Sequence, residues 1–530
     1  MTAISLFNDV IGPVMRGPSS SHTAAPVQIG TLARALLGDE PAAATFVFDP
    51  GGSFAEVYRQ QGSDLGFAAG LMGWQMADER FPQALERAAA QGLDIRFVVE
   101  PLPGADHPNT LAMRLTSRRG RSLQAIAQST GGGAFVFTEL EGWPVHLTGD
   151  AYEVVAEVEP RAEAAVRELL ARDGQVASMA HQEREARAPV VGTPGRVLVH
   201  ARRLAAMDAA VQVEMEAFPG VQRLWTAPPV FYPQRGRPLF GGAAEMVGWA
   251  GVQGCSLGRA ALVYEAALLG LPEGEIMAEM VRRFEVMHAA VRRGLSDDRL
   301  PMQLLTPSAG RVYRAEAEGR LAAGGMLTRA AARAMAVMHV NGAMGVVCAA
   351  PTAGSAGVIP GVIVTLAEEL GLDLEQVVLA LFAAAGVGLV VAVRATFAAE
   401  VCGCQVEIGA SGAMAAAAVV EAAGGSARQA ADAAAIAFQN TMGSTCDPVQ
   451  GMVEIPCHTR NAVAAASAFI CADLILGGYA NPIPLDETVD AVYAVGRMLP
   501  RELKCTALGG LSLAPSALAM TRGSGEKQRQ

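Results

Sequence analysis

Cys404, Cys446 and Cys457 stand in the segments GCQVEIG, TCDPVQGMVEIPC and the CHTRNA that follows, among acidic, amide and glycine residues. This is the pattern of an iron-sulfur site that does chemistry. Electron-transfer clusters usually take four thiolates, often from one compact run, whereas three thiolates from separated segments leave one iron open to a substrate. An open iron is a Lewis acid. The C-x10-C spacing of Cys446 and Cys457, with Asp447 and Pro448 after the first and Arg460 and Asn461 after the second, is the more specific part of the signal. The plain alternative is a pair of buried structural cysteines. Cys348 and Cys402 read as small core residues.

Other segments carry donors for an anion. GPSSSHT (Gly17 to Thr23) places three hydroxyls and an imidazole after a Gly-Pro break, so that hydroxyl and backbone N–H groups can gather around a carboxylate. The ordinary reading of the same residues is a serine-rich turn capping a helix that begins near Ala24. HPNT (His107 to Thr110) and STGGG (Ser129 to Gly133) add a second imidazole and a glycine turn able to wrap a small anion, or else are simple loops. APTAGSAG (Ala350 to Gly357) is too rich in glycine and hydroxyls for bundle core, and a helix starting at Val358 would point N–H groups at an anion.

Composition narrows the classes. The 530 residues, 51% hydrophobic, exceed one ordinary core and predict two or three domains. A net charge of -11 without a basic stripe argues against nucleic acid and for small metabolites. The first residues lack the features of a secretory signal, so a cytoplasmic protein is expected. Eight cysteines are too sparse for a disulfide scaffold and suit metal or cluster binding in a reducing compartment. Only Lys504 and Lys527 are lysines, which argues against pyridoxal phosphate, a cofactor held as a lysine Schiff base. The apolar run at 377–393 approaches the length of a membrane span, and 343–367 is uncharged. No aromatic belt or basic flank brackets them, so alanine-rich helices of a soluble bundle are expected and a membrane partner is not.

These groups need elements to hold them. Residues 1–150 mix strand-like runs (ATFVFD, IRFVVE, GAFVFTELEG, WPVHLTG) with helical ones such as PAAA and FPQALERAAAQG, predicting an α/β or α+β domain. Residues 151–233 read as βαββαβ, a ferredoxin-like module without a reactive constellation, suited to regulation, packing or dimerisation. Past the Pro and Gly boundary YPQRGRPLFGG, residues 238–520 are helical and interrupted by glycine motifs, and 521–530 form a polar tail expected to be disordered.

GPSSSHT, GGSFAEVYRQQGSD, HPNT, STGGG, APTAGSAGVIPG, GCQVEIGASGAMAAAA, CDPVQGMVEIPC, RNA and TALGGL, in that order, resemble the iron-sulfur-dependent L-serine dehydratases (L-serine ammonia-lyases) over nearly the whole chain. The chain looks like a fusion of that family's β part, including an ACT-like module, with its α part. The resemblance implies an α+β N-terminal domain, an ACT-like middle module and an all-α catalytic domain holding a [4Fe-4S] cluster on Cys404, Cys446 and Cys457. It also implies dehydration and deamination of L-serine to pyruvate and ammonia. Ser19, Ser20, Ser21, His22 and Thr23 are then the catalytic candidates, with Asn109, Thr130, Gly131, Gly132, Gly133, Gln61 and Asp64 around the substrate. A small amino-acid substrate and a homodimer are the expected partners.

Three departures stand out. Gln61 occupies the place of a histidine in the family, and Cys505 that of a glutamate before TALGGL, where it is a candidate further cluster ligand. The ACT-like segment also lacks the usual Asp/Arg-x-Pro-Gly turn. Lyases on another β-hydroxy or β-thiol amino acid or on a hydroxy acid, and a non-catalytic iron-sulfur sensor, are the alternatives.

Overall fold

The computed structural model describes residues 3–184 and 195–522. Its first sheet has the strands β2 (Pro41–Phe48), β3 (Asp94–Val99), β4 (Thr110–Ser117), β5 (Ser122–Gly131), β6 (Ala134–Leu140) and β7 (Trp143–Leu147), ordered β3-β2-β4-β5-β6-β7. Only the β2–β3 pair is parallel. β5 alternates buried and exposed residues, as a sheet with one covered face requires. The helices Ala25–Leu37 and Ser63–Leu71 supply Ile29, Leu32, Phe67 and Leu71 to the core of that sheet. PAAA, read as helical, is instead the first half of β2. Pairing with strands on both sides overrides the helix preference of alanine, and Pro41 is tolerated because it is the first residue of its strand.

The second sheet has the strands β8 (Tyr152–Val158), β9 (Val176–Arg184), β10 (Arg196–Arg203) and β11 (Val221–Ala227), all antiparallel in the order β11-β8-β10-β9. Helices Glu163–Ala171 and Ala209–Glu216 connect them, and Val154, Ala156, Val166, Leu170, Val199 and Met215 fill the space between. None of the reactive motifs lies here.

The remainder is helical apart from the short strand β12 (Val346–Cys348). Its centre is the helix Leu374–Arg394, apolar on every side and packed against Leu257–Leu269 and Ile408–Ala422. An all-round apolar helix must be buried, and 78% of its most apolar stretch is. The tail expected at 521–530 lies, beyond residue 522, outside the described residues.

The start of the chain, read with the first domain, is built into this helical part. Leu6, Phe7, Val10 and Ile11 share its core, and a Cβ on Gly388 would lie 2.2 Å from Val10 Cγ1, so glycine is what admits the turn. The buried Glu265 carboxylate accepts from Ser5 Oγ (2.6 Å), Leu6 N (2.8 Å) and Phe7 N (3.2 Å). Strand β1 (Val14–Arg16) then pairs antiparallel with β12. Asn341 Nδ2 donates to Pro18 O (2.9 Å), and a Cβ on Gly17 would meet Asn341 O at 2.1 Å. The helical part therefore places the GPSSSHT loop before the chain enters the first sheet.

Candidate active site

Gly403, at φ +75°, turns the chain so that Cys404 enters a short turn (Cys404–Val406) ahead of the helix Ile408–Ala422. One ligand atom each from Cys404, Glu407 and Cys446 lie within 4.8 Å of one another. Cys505 joins them through the backbone: its N–H donates to Cys446 O (2.8 Å), and Cys446 N–H donates to Leu503 O (2.9 Å). It sits at φ +58°, a left-handed conformation uncommon for a residue with a side chain and concentrated at functional sites. Cys457 opens the helix Cys457–Leu476. Its thiol lies outside the 4.8 Å group, yet it feels the charges of Cys404, Glu407 and Cys505 and so faces the same centre.

The thiols are electrostatically unequal. A hydrogen bond from the Cys446 thiol, together with the Arg460 guanidinium, holds Cys404 below its ordinary range despite burial. The same contacts with Cys404 and Cys505, and burial, push Cys446 well above it. Burial chiefly raises Cys457 and Glu407. Cys505 is raised as well: its hydrogen-bond contact with Cys446 lowers it, but burial and the charges of Glu400, Glu407 and Cys404 outweigh that contact. Arg460 is fixed by Thr445 O (2.8 Å) and Asp447 Oδ1 (3.0 Å), and Asp447 Oδ2 accepts from Leu511 N (2.8 Å), which ties the TALGGL loop to the site. Cys402 and Cys348 are buried with apolar neighbours.

The GPSSSHT loop reaches the cysteine group through Ser53, which lies between His22 and the Cys505 carbonyl. Ser19 caps the turn Ser20–Ala24, its Oγ accepting from His22 N (3.1 Å), so the capping role and the site role fall on one segment. Ser21 Oγ donates to Glu400 Oε1 (2.6 Å) and lies 2.9 Å from His22 Nδ1, which is itself 3.3 Å from Glu400 Oε1. Both neighbours of Nδ1 require an N–H there, which leaves Nε2 as the acceptor facing Ser53 Oγ at 3.2 Å. Ser53 Oγ also reaches Cys505 O (3.4 Å). Thr23 Oγ1 donates to Gln61 O (2.6 Å) and Ser129 Oγ to Ser21 O (3.0 Å). Ser20 is buried in the same turn.

Thr130 and Gly131 end β5, and Gly131, Gly132 and Gly133 all have positive φ. A Cβ on Gly131 would lie 2.6 Å from Ala398 N, so this turn rests on the segment that carries Glu400. Asn109 Nδ2 donates to Ser129 O (3.4 Å), while its buried Oδ1 has no partner. Asp64 lies in the first turn of Ser63–Leu71 and accepts from Leu65 N (2.9 Å). Gln61 Nε2 donates to Gly451 O (3.2 Å) and lies 3.9 Å from Cys505 Sγ, so the two side-chain departures from the family pattern touch each other.

Ser53 stands in the GGSFAEVYRQQGSD motif, which assigns it no role of its own, and Glu400 carries no motif at all. Glu400 stood in an alanine-rich apolar stretch, and a lone carboxylate there was a clue, because charged residues are almost never fully buried without a purpose.

Buried thiols, a carboxylate and an arginine from the helical part and hydroxyls and an imidazole from the first sheet's domain thus come together from two parts of one chain. A family model described as "Serine dehydratase alpha chain" matches residues 162–512. The probable L-serine dehydratase alpha chain of Bacillus subtilis (strain 168) is 42% identical over 242 residues, 46% of this chain and 81% of that one. The L-serine dehydratase alpha chain of Peptoniphilus asaccharolyticus is 36% identical over 241 residues, 45% of this chain and 82% of the relative. A second match, to the probable L-serine dehydratase beta chain of Bacillus subtilis, is 43% identical over 142 residues, 27% of this chain and 63% of the relative. The chain belongs to the serine dehydratase family, with α-type and β-type sequence in one polypeptide.

Proposed function

We propose that this protein is an L-serine ammonia-lyase: it removes water from L-serine, and the aminoacrylate so formed tautomerises and hydrolyses to pyruvate and ammonia. The observation that carries the reading is the junction of the Cys404–Glu407–Cys446 group with the Ser21–His22–Glu400–Ser53 network. The relatives named above support it.

A [4Fe-4S] cluster fits the donors. Cys404, Cys446 and Cys457 are buried and free of disulfides, and Cys404 is the thiol most readily ionised. When bound, such a cluster with an iron open to substrate supplies a Lewis acid for the β-hydroxyl. The chain's own residues do the rest. Glu400 and Ser21 hold His22 with its proton on Nδ1, so Nε2, directly or through Ser53, is the basic atom that takes the α-proton. The Ser19–Thr23 turn and the glycines after Thr130 enclose the substrate and exclude water.

A panel of β-hydroxy and β-thiol amino acids and of hydroxy acids, offered to anaerobically purified protein, tests the substrate. L-Serine is expected to be consumed fastest. Faster turnover of another member would reassign the enzyme within its family, a sharp question because the Gln61–Cys505 contact lies beside the cysteines.

We also propose that Cys505 completes the cluster at rest. Cys505→Ser is expected to purify with similar iron content, altered visible spectra and faster cluster loss in air. Unchanged spectra and air stability would leave Cys505 as packing. A soluble, cytoplasmic homodimer is the proposed form. The exposed Val463, Ile470 and Leu474 of Cys457–Leu476 offer an apolar face that a second copy would cover.

A further inference from the structure

One carboxylate oxygen in the site is unused. Glu400 is buried, 5% exposed, and its Oε1 serves both Ser21 Oγ and His22 Nδ1. Its Oε2 is buried with no hydrogen-bond partner. Hydrogen bonds from His22 and Ser21 oppose the burial penalty on this carboxylate and hold it below its ordinary range. A buried anionic oxygen without a donor is costly, and such an atom persists where a ligand completes it. Its surroundings are those of the reaction centre: it lies within electrostatic reach of His107, Glu407 and Cys505. The glycine turn beside it leads back through Ser129 to Asn109, whose buried Oδ1 is a second acceptor without a donor.

We propose that Glu400 Oε2, with Asn109 Oδ1 as the second acceptor, receives the α-ammonium of the substrate. An ammonium group is a compact cation with three N–H donors and no acceptor, and two unpaired acceptor oxygens, one of them charged, complement it. On this assignment Glu400 joins substrate recognition to the orientation of His22, through its two separate oxygens. The inference rests on the lyase reading and specifies how that site selects amino acids over simple hydroxy acids.

The test compares two competitive inhibitors of L-serine turnover that differ only in the ammonium group, L-alanine and propanoate, on the cluster-loaded enzyme. In the unaltered protein L-alanine is expected to bind roughly 10- to 100-fold more tightly than propanoate, the range of one hydrogen bond to a charged group. In Glu400→Gln, checked for unchanged iron and sulfide, that ratio is expected to fall to within about threefold because L-alanine weakens while propanoate does not. Equal weakening of both inhibitors would show Glu400 to be structural, and an unchanged ratio would show that the ammonium binds elsewhere. Should the variant lose its cluster, the unaltered enzyme still decides: propanoate binding as tightly as L-alanine overturns the assignment. Protein holding iron and sulfide that leaves L-serine unconsumed would overturn the lyase reading itself, an outcome distinct from each of these.

Discussion

Cys446→Ser is expected to purify with little iron or sulfide and to lose turnover by more than about 100-fold, the loss that changes outside the metal ligands already cause. Cys446 lies between Cys404 and Cys505, in hydrogen-bond contact with both. Its backbone carries the bridge to Lys504 that holds Cys505 in position, and serine preserves that bridge. The variant should therefore fold with native helix content while losing its absorbance in the visible. Anaerobic iron and sulfide analysis beside circular dichroism separates the two effects. Full iron content in a folded variant would remove Cys446 from the ligand set.

His22→Asn is expected to retain iron and sulfide and to lose about 10²- to 10⁴-fold in kcat, the span of a positioned general base. The imidazole is fully buried, packs on the Phe54 ring at a centroid distance of 4.8 Å, and has both nitrogens engaged. Asparagine is smaller and keeps a donor toward Ser21 and Glu400, but supplies no basic nitrogen at Ser53. The loss should therefore fall on kcat more than on KM. Turnover within a few-fold of the unaltered enzyme would place the base elsewhere.

Part of this site could be read in the chain because its signals are local. Hydroxyl and glycine runs such as GPSSSHT and STGGG, and cysteines flanked by Asp447, Arg460 and Asn461, are conspicuous in a sequence that is otherwise apolar and alanine-rich. Glu400 was not legible, because its partner Ser21 lies 379 positions away and only the tertiary fold joins them. Ser53 stands in a legible motif, but its contacts, a ring nitrogen of the preceding loop and the Cys505 carbonyl far along the chain, come only from the fold. The segment PAAA misled because alanine prefers helix in isolation, whereas pairing with β3 and β4 decides its conformation. The N-terminal residues misled in another way. Their burial depends on Glu265 and Gly388, positions that no local pattern connects to them.

The most direct measurement takes the full chain, purified without oxygen, and determines iron, acid-labile sulfide and keto acid formed from L-serine on the same sample. The account predicts close to four irons and four sulfides per chain, the content of one [4Fe-4S] cluster, and pyruvate and ammonia released in equal amounts, with activity lost in air together with the iron. Turnover of L-serine by protein free of iron and sulfide would contradict it, as would a fully loaded protein that releases no pyruvate.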